Sequence, residues 1–417
     1  MQRKNHRTAD LPSAAAYNKR LSQTCVVLTL AVTLILVLYA GASILGNPDM
    51  ISYESLYYML NDFNIAAVSV GRSYTTLQYG YSFGENQVFD SYRDGLVVLN
   101  ENTLTAFSSS GRRTLYERIS LTRPALCTSG MYIAAYEKGG EALYLYNSFS
   151  CLFTDADLGL GGIDNDYKIA DVSLSDNGSI AVALNVGASQ TSVLLFNSRG
   201  KLIAEYNLPR LTVDVSLNAD ASMIAMASID VSTDMGKPVT EILIYQTGEL
   251  APTASVSYGG TTPVSATFNA NSDYVCALTD SVVGYDRGND SFRRTPFNTD
   301  DELSELVLNE HGCVAYFTSP TDRDKFSVKV FDKTGNMVYN VSEDDTARLA
   351  YHTYVINNGR VFCCDANGVT VVSVESGAAQ RINCPIPQDG TSVTVLSEDG
   401  TVFAVCGGSE ATRYELK

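Results

Sequence analysis

The sequence predicts an all-β fold, a β-propeller of four-stranded blades preceded by one transmembrane helix. Three observations predict it. A strand–turn–strand unit recurs eight times after residue 64, a second hairpin closes the units, and an uncharged apolar run lies near the N-terminus. A chain of 417 residues would ordinarily divide into two or three domains, but an internal repeat joins many small units into one body.

The repeated unit opens with a strand, a polar tight turn and a strand of small residues, as in VSLSDNGSIAVAL (172–184) and VSLNADASMIAMA (215–227). A second hairpin follows, for example SVLLFNSRGKLIAEYNL (192–208), so each unit holds four strands. The turn positions lie 35 to 51 residues apart, at Gly95, Gly130, Gly178, Ala221, Ser272, Gly312, Gly359 and Gly400. This spacing is typical of a propeller blade, and such sheets bury both faces only by stacking around an axis.

Eight turns predict eight blades, with seven as the alternative if residues 64–120 do not form a full unit. The last unit ends after three strands, at 391–397, 401–406 and 411–416. We expect an N-terminal strand, Ile65–Val70, to complete this blade, because closure of the ring removes sheet edges that would otherwise aggregate. The propeller domain is thus residues 64–417.

The anchor is predicted over residues 24–46, because no charged residue occurs between Leu21 and Pro48. Basic residues lie only on its N-terminal side, which places the tail, residues 1–23, in the cytoplasm and the propeller outside the cell. A signal peptide cleaved after Ala42 is the alternative. Residues 47–63 are expected to form a short juxtamembrane helix or linker packed on the domain that follows.

Charge excludes one class of partner. The chain carries a net charge of −17, and residues 1–23 carry +4 of it, which leaves −21 for the rest. An acidic body is repelled by phosphate backbones, so no nucleic-acid partner is expected.

No catalytic signature is present, since the sequence holds three histidines and lacks the common hydrolase, P-loop and CxxC motifs. We therefore predict that the protein is not an enzyme. Cys276, Cys363, Cys364 and Cys406 occupy strand positions where other units have small apolar residues, so we expect them to be buried as thiols.

No cofactor or metal is predicted, although one loop offers carboxylates that Ca²⁺ favours. The weak candidates are Asp155, Asp157, Asp164 and Asp166. Their spacing does not match the EF-hand pattern, and a solvated acidic loop is the simpler interpretation.

The pattern of turns and strands resembles the loose repeats of TolB-like and WD40-like propellers, over residues 64–417. The sequence lacks tryptophan and the Trp-Asp signature of true WD40 repeats. The arrangement of one anchor and an acidic propeller is similar to uncharacterised single-pass propeller families of anaerobic Gram-positive bacteria. This resemblance implies a location and an architecture, and no reaction.

We therefore expect a single-pass protein of the cell membrane whose extracytoplasmic propeller is a non-catalytic binding or scaffold module. Its ligand would be a cell-envelope protein, peptide or glycan, recognised by loops on a rigid frame. The predicted recognition loop is an extended hairpin tip with candidate contacts at Asp230, Thr233, Asp234 and Lys237. The alternative is a hydrolase or lyase acting on surface polysaccharide or peptide, which would need two carboxylates about 5–9 Å apart in the central funnel.

Overall fold

The structure is a computed structural model that describes residues 25–34, 37, 69–70, 74–160, 167–230, 236–322, 326–341, 353–365, 368–383, 392–397 and 399–416. The chain divides into two units, Met1–Asn61 and Asp62–Lys417. Residues 25–34 in the first unit are helical. Among the described residues, no helix combines the length and apolar character needed to cross a membrane. The predicted tail (1–23), most of the predicted anchor and the predicted segment 47–63 lie outside the described residues.

The second unit consists of β-strands, numbered here along the chain. The N-terminal strands are β1 Ser69–Val70 and β2 Tyr74–Gly80. Blade 1 contains β3 Val88–Tyr92, β4 Gly95–Leu99, β5 Thr103–Phe107 and β6 Arg113–Arg118, and blade 2 contains β7 Pro124–Ser129, β8 Tyr132–Glu137, β9 Leu143–Tyr146 and β10 Cys151–Thr154. Blade 3 contains β11 Tyr167–Leu174, β12 Ile180–Val186, β13 Gln190–Phe196 and β14 Leu202–Leu208. Blade 4 contains β15 Leu211–Leu217, β16 Met223–Asp230, β17 Val239–Gln246 and β18 Ala254–Gly259.

Blade 5 contains β19 Pro263–Phe268, β20 Tyr274–Leu278, β21 Ser281–Asp286 and β22 Ser291–Pro296. Blade 6 contains β23 Glu302–Asn309, β24 Gly312–Thr318, β25 Phe326–Asp332 and β26 Met337–Val341. Blade 7 contains β27 Thr353–Asn357, β28 Arg360–Asp365, β29 Gly368–Ser373 and β30 Ala379–Asn383. The chain ends in β31 Ser392–Val395, β32 Val402–Gly407 and β33 Glu410–Leu416. The neighbours within seven of the sheets follow chain order, the strands pair antiparallel, and the eight sheets form a ring. The prediction of an eight-bladed propeller is confirmed, and the seven-bladed alternative is wrong.

The last blade is closed by an N-terminal strand, as predicted, but by a different one. Strand β2 pairs with β33 along its whole length, from Tyr74 opposite Leu416 to Gly80 opposite Glu410. The described part of the predicted strand, Ile65–Val70, is β1, which pairs with the outer side of β2 as a fifth strand. Residues 65–68 lie outside the described residues. The assignment of Ile65–Val70 as the closing strand is therefore wrong.

The hydrophobic core of the propeller lies between its blades. Eight clusters of buried side chains occur among the described residues, one at each junction of neighbouring blades. Along a second strand, successive side chains enter opposite junctions because side chains alternate across a sheet. Cys363 packs between blades 6 and 7, and Cys364 between blades 7 and 8. The four cysteines predicted to be buried are buried, and Cys276, Cys363 and Cys406 are free thiols.

The tight turns between first and second strands join neighbouring blades at one face of the ring. The Asn177 amide donates to the carbonyl of Asp220 at 2.8 Å, and the Asn309 amide donates to the carbonyl of Ile356 at 2.8 Å. Four of the described turns between first and second strands place a non-glycine residue in the left-handed region, among them Ala221 at φ 55° and Ser272 at φ 62°. The Asn before several of these turns thus has a structural role, because the side chains of Asn218, Asn269 and Asn309 organise their own turns and donate to the next blade.

Replacing Asn269 by alanine is expected to lower the free energy of unfolding by about 1–3 kcal/mol. Asn269 is buried, donates to the Lys333 carbonyl of the next blade at 2.9 Å, and accepts the N–H groups of Asn271 and Asp273. Denaturant unfolding would measure the loss. The control is Asn289→Ala, since Asn289 is exposed and its amide donates only within its own turn, to Asp286. Equal losses in the two variants would contradict this role.

Candidate functional site

The strand topology gives the ring two different faces. Connections from first to second strand and from third to fourth strand lie at one end of the strands, which we call the turn face. Connections from second to third strand and from blade to blade start at the other end, which we call the loop face. The two segments that the sequence singled out, 155–166 and 230–239, both connect strands at the loop face. Sequence reasoning did not anticipate that they share a face.

The predicted recognition loop starts from a regular hairpin. Asp230 is the last residue of β16 and lies opposite Val239, the first residue of β17, so the insertion is residues 231–238. Lys237, near the C-terminal end of the insertion, is exposed. Thr233 and Asp234 lie outside the described residues. The structure therefore shows the two strand ends that the loop connects. The contacts proposed for its tip stay a prediction.

Two of the four carboxylates suggested for Ca²⁺, those of Asp155 and Asp157, lie in the described part of the acidic loop after β10. Asp157 accepts the backbone N–H and the hydroxyl of Thr154, both at 2.9 Å, and thereby caps a helical turn. Leu158 and Leu160 of this turn are buried between blades 2 and 3. Asp164 and Asp166 lie outside the described residues. In the part of the chain that is described, no group of three potential metal ligands occurs.

A cavity of about 430 Å³ opens at the loop-face end of blade 3. Its polar lining comes from the side chains of Gln190, Ser192, Glu205 and Asn207, and Pro209 contributes an apolar wall. The Asn207 amide donates to the Glu205 carboxylate at 3.0 Å, which orients both groups. Such a surface offers amide and carboxylate groups to a polar ligand, and sequence reasoning missed it because the four polar residues look like ordinary strand-edge residues.

The cavity is connected to the base of the recognition loop. Thr191 lines the cavity, and its hydroxyl lies 2.9 Å from the carbonyl oxygen of Arg210 and accepts the N–H of Thr212 at 2.8 Å. The Arg210 guanidinium forms an ion pair with Glu241, two residues after the start of β17. Blades 3 and 4 are thus joined at the loop face by hydrogen bonds that connect Thr191 to Arg210 and Thr212.

The first strands of the blades surround the axis of the ring, and most of their side chains are half-buried, in contrast to the buried second strands. Two aspartates occupy equivalent positions on neighbouring first strands. Asp171 accepts the Tyr136 hydroxyl at 2.8 Å and the N–H of Val215 in the next blade at 3.0 Å. Asp214 accepts the N–H of Ala266 in the blade after that, at 2.9 Å. Burial raises the pKa of both carboxyls, and the neighbouring Asp171 charge raises that of Asp214 further.

A third aspartate on the same inner surface is Asp90 of blade 1. It accepts the N–H of Ser91 and the hydroxyl of Thr128, each at 2.8 Å. Burial raises the pKa of the Asp90 carboxyl to about 6. The axis of the ring therefore carries carboxyl groups whose ionisation is suppressed.

The sequence contains one pattern that indicates the pair Asp171 and Asp214. The tetrapeptide Asp-Val-Ser-Leu occurs twice, at 171–174 and at 214–217, in equivalent first strands. Both aspartates follow a β-bulge, at Ala170 and Val213. The repeat units described from the sequence begin one residue later, at the valine, and so omit the aspartate.

Solved structures with a similar fold are β-propellers. The Cps50 (Swd1) β-propeller domain of Myceliophteria thermophila is 11% identical, with a TM-score of 0.41, and the match covers 85% of this chain and 99% of that one. A chain of the mitotic checkpoint complex is 12% identical, with a TM-score of 0.45, and the match covers 70% of this chain and 88% of that one. No curated protein matches the sequence.

The four-stranded repeat that builds the ring lies within one protein family. That family is defined by sequence, and its members have no assigned function. Its match covers residues 71–405, which include the closing strand, the cavity, the insertion and the inner carboxyl groups. The chain belongs to the family of unknown function DUF5711.

Proposed function

We propose that the protein is a membrane-anchored, extracytoplasmic β-propeller that acts as a non-catalytic binding or scaffold module. Its ligand is a cell-envelope protein, peptide or glycan. The contact surface is the loop face of blades 3 and 4, where the cavity beside Thr191 lies on blade 3 and the strands that bear the insertion, β16 and β17, lie on blade 4.

One observation carries this proposal: the cavity and the insertion flank a junction that is held by hydrogen bonds and a half-buried ion pair. The side chains of Arg210 and Glu241 are only 23% and 20% exposed. A fixed cavity next to a longer loop suits recognition, because little conformational entropy is lost where the frame is already ordered. The exposed amide and carboxylate groups of the cavity supply hydrogen bonds that orient a polar ligand.

The test is capture of cell-envelope components by the full chain in detergent micelles, compared with a cavity variant. Gln190→Ala combined with Asn207→Ala is expected to weaken binding at least about tenfold, since interface residues at the centre of a contact cost more than about 1 kcal/mol when truncated. Both residues are exposed, so the fold should be retained.

The matched control is Lys201→Ala, because Lys201 is exposed in a third-to-fourth strand turn at the opposite face of the same blade. Binding that survives the cavity variant and is lost in the Lys201 variant would place the contact surface at the turn face and contradict the proposal.

A hydrolase or lyase acting on surface polysaccharide or peptide is the second candidate. The observation in its favour is the pair Asp171 and Asp214, since suppressed ionisation of one carboxyl beside another is a property of acid–base pairs. Each carboxylate is also bonded to the backbone of the next blade, which favours a structural role. Turnover of a wall fragment by the full chain, lost in Asp214→Asn, would favour the enzyme over the binding module.

A further inference from the structure

The inner edge of each first strand has no neighbouring strand, so its backbone groups need other partners. In an antiparallel strand the N–H and C=O of one residue point to the same side. At several junctions the preceding blade supplies acceptors for these N–H groups. Asp171 accepts from Val215, Ser173 accepts from Leu217, and Asp214 accepts from Ala266.

At the junction of blades 4 and 5, both backbone groups of Ala266 are bound. One carboxyl oxygen of Asp214 accepts the Ala266 N–H at 2.9 Å. The Ser216 hydroxyl lies between the other carboxyl oxygen, at 3.0 Å, and the Ala266 carbonyl oxygen, at 3.2 Å. The hydroxyl therefore faces two acceptors with its single hydrogen.

The junction of blades 1 and 2 repeats this arrangement with different residues. One carboxyl oxygen of Asp90 accepts the Ser91 N–H at 2.8 Å. The Thr128 hydroxyl lies 2.8 Å from the other carboxyl oxygen and 2.8 Å from the Ser91 carbonyl oxygen. Again one hydroxyl hydrogen faces two acceptors.

A neutral carboxylic acid satisfies every atom in both arrangements. Its O–H donates to the hydroxyl oxygen, the hydroxyl donates to the carbonyl oxygen, and the second carboxyl oxygen still accepts the N–H. An ionised carboxylate takes the hydroxyl hydrogen for itself, so the carbonyl oxygen loses that donor. We propose that Asp90 and Asp214 are neutral carboxylic acids in the folded propeller, and that proton uptake locks the junctions between blades 1 and 2 and between blades 4 and 5.

The groups around Asp214 favour its neutral form. Asp171 of blade 3 accepts two donors and lies near the Lys138 ammonium of blade 2, and both features oppose the rise that burial causes in its pKa. The Asp171 charge raises the pKa of Asp214, and the Lys138 ammonium lowers it by less, because Lys138 acts more strongly on Asp171. Tyr274 and Cys276 of blade 5 also face Asp214, and both are held neutral by burial.

The groups around Asp90 act in the same direction. Cys127 of blade 2 lies near all three aspartates, and burial together with the Asp90 charge raises the pKa of its thiol. Glu310, in a turn of blade 6, adds a further negative charge that opposes ionisation of Asp90. No cation is among the groups that shift the Asp90 carboxyl, within the described part of the chain.

The sign of the pH dependence follows. Because the folded state raises the pKa of each carboxyl, its contribution to stability is complete below the pKa of the unfolded chain, about 3.9. That contribution is lost as the pH rises through the folded-state pKa, which is about 6 for Asp90 and is raised well above the usual aspartate value for Asp214. An alkaline shift therefore loosens the two junctions, and an acidic shift tightens them.

The test is thermal unfolding of the full chain in detergent micelles between about pH 5 and about pH 8. The melting temperature of the unaltered protein should fall with rising pH more steeply than that of Asp90→Asn or Asp214→Asn, and the double variant should be the least sensitive. An Asn amide can donate to the hydroxyl as the neutral acid does, so the melting temperatures of the variants should lie closest to that of the unaltered protein at the acidic end and exceed it most at the alkaline end. The control is Glu249→Gln, an exposed carboxylate, which should leave the slope unchanged.

Asn variants that melt below the unaltered protein at about pH 8 would show that the carboxylates are needed in ionised form and would overturn the proposal. A second measurement does not depend on the variants. Infrared spectra of the protein with isotope-labelled aspartate should show the band of neutral carboxylic acid at about pH 5 and its loss on titration with a midpoint at or above about pH 6. A midpoint near the ordinary aspartate value would also overturn it. Neither readout depends on the proposed binding function.

Discussion

Replacing Tyr79 by alanine is expected to lower the free energy of unfolding by about 3–5 kcal/mol. Tyr79 lies on β2, the strand that closes the ring, and is only 1% exposed. Its ring lies 5.3 Å from that of Phe107 in blade 1, within the cluster between blades 8 and 1. The truncation would leave a cavity at the one junction that joins the two ends of the propeller sequence, so the ring would open there first. Denaturant unfolding measures the loss.

The matched control is Gln78→Ala, because Gln78 is the adjacent residue on β2 and its side chain is exposed. It retains the pairing of β2 with β33 and removes no buried surface, so its effect should stay within about 0.5 kcal/mol. If both variants lost a similar amount of unfolding free energy, burial of the Tyr79 ring would not be what stabilises the closure, and β2 would stabilise it through backbone pairing alone.

Replacing Gly284 by alanine is expected to destabilise the propeller by about 1–3 kcal/mol or more. Gly284 lies on β21 in blade 5, and a Cβ atom there would stand 2.2 Å from the carbonyl oxygen of Thr334 in blade 6. The obstacle is backbone, so the two blades would have to separate locally. The expected result is a lower melting temperature and a lower denaturation midpoint.

Gly259→Ala serves as the control, since Gly259 lies at the end of an outer strand and its Cβ would meet no atom within 4 Å. That substitution should be neutral or slightly stabilising, because it only restricts the unfolded chain. A destabilisation of the same size at Gly259 would indicate a general intolerance of alanine at glycine positions in strands, and the close approach of blades 5 and 6 would not be its cause.

The repeat was readable from the sequence because second strands are buried on both faces and their composition shows it. Ala225 and Ala277 are fully buried, as their small size predicted. The closing strand was assigned wrongly for a related reason. Residues 65–70, IAAVSV, form an apolar run interrupted only by Ser69, whereas β2, YTTLQYG, buries Leu77 and Tyr79 and exposes Gln78 between them. An outermost strand has one solvated face, so alternation was the pattern to look for.

The functional surface was less readable. The sequence located the insertion and the acidic loop, but the cavity needs Gln190 and Asn207 from two different strands of one blade. The role of Asp214 depends on the backbone of Ala266, 52 residues away and in another blade. Such contacts depend on the rotation of one blade against the next, which local sequence patterns do not encode.

The pairing of β2 with β33 has a consequence for synthesis of the chain. These strands are adjacent in space but separated by about 330 residues of sequence. At about 5–20 residues per second, β2 leaves the ribosome on the order of 20–60 s before its partner exists. During that interval Leu77 and Tyr79 have no blade to pack against, and seven blades form an open arc. Nascent propellers are therefore most exposed to intermolecular strand exchange just before the last hairpin emerges.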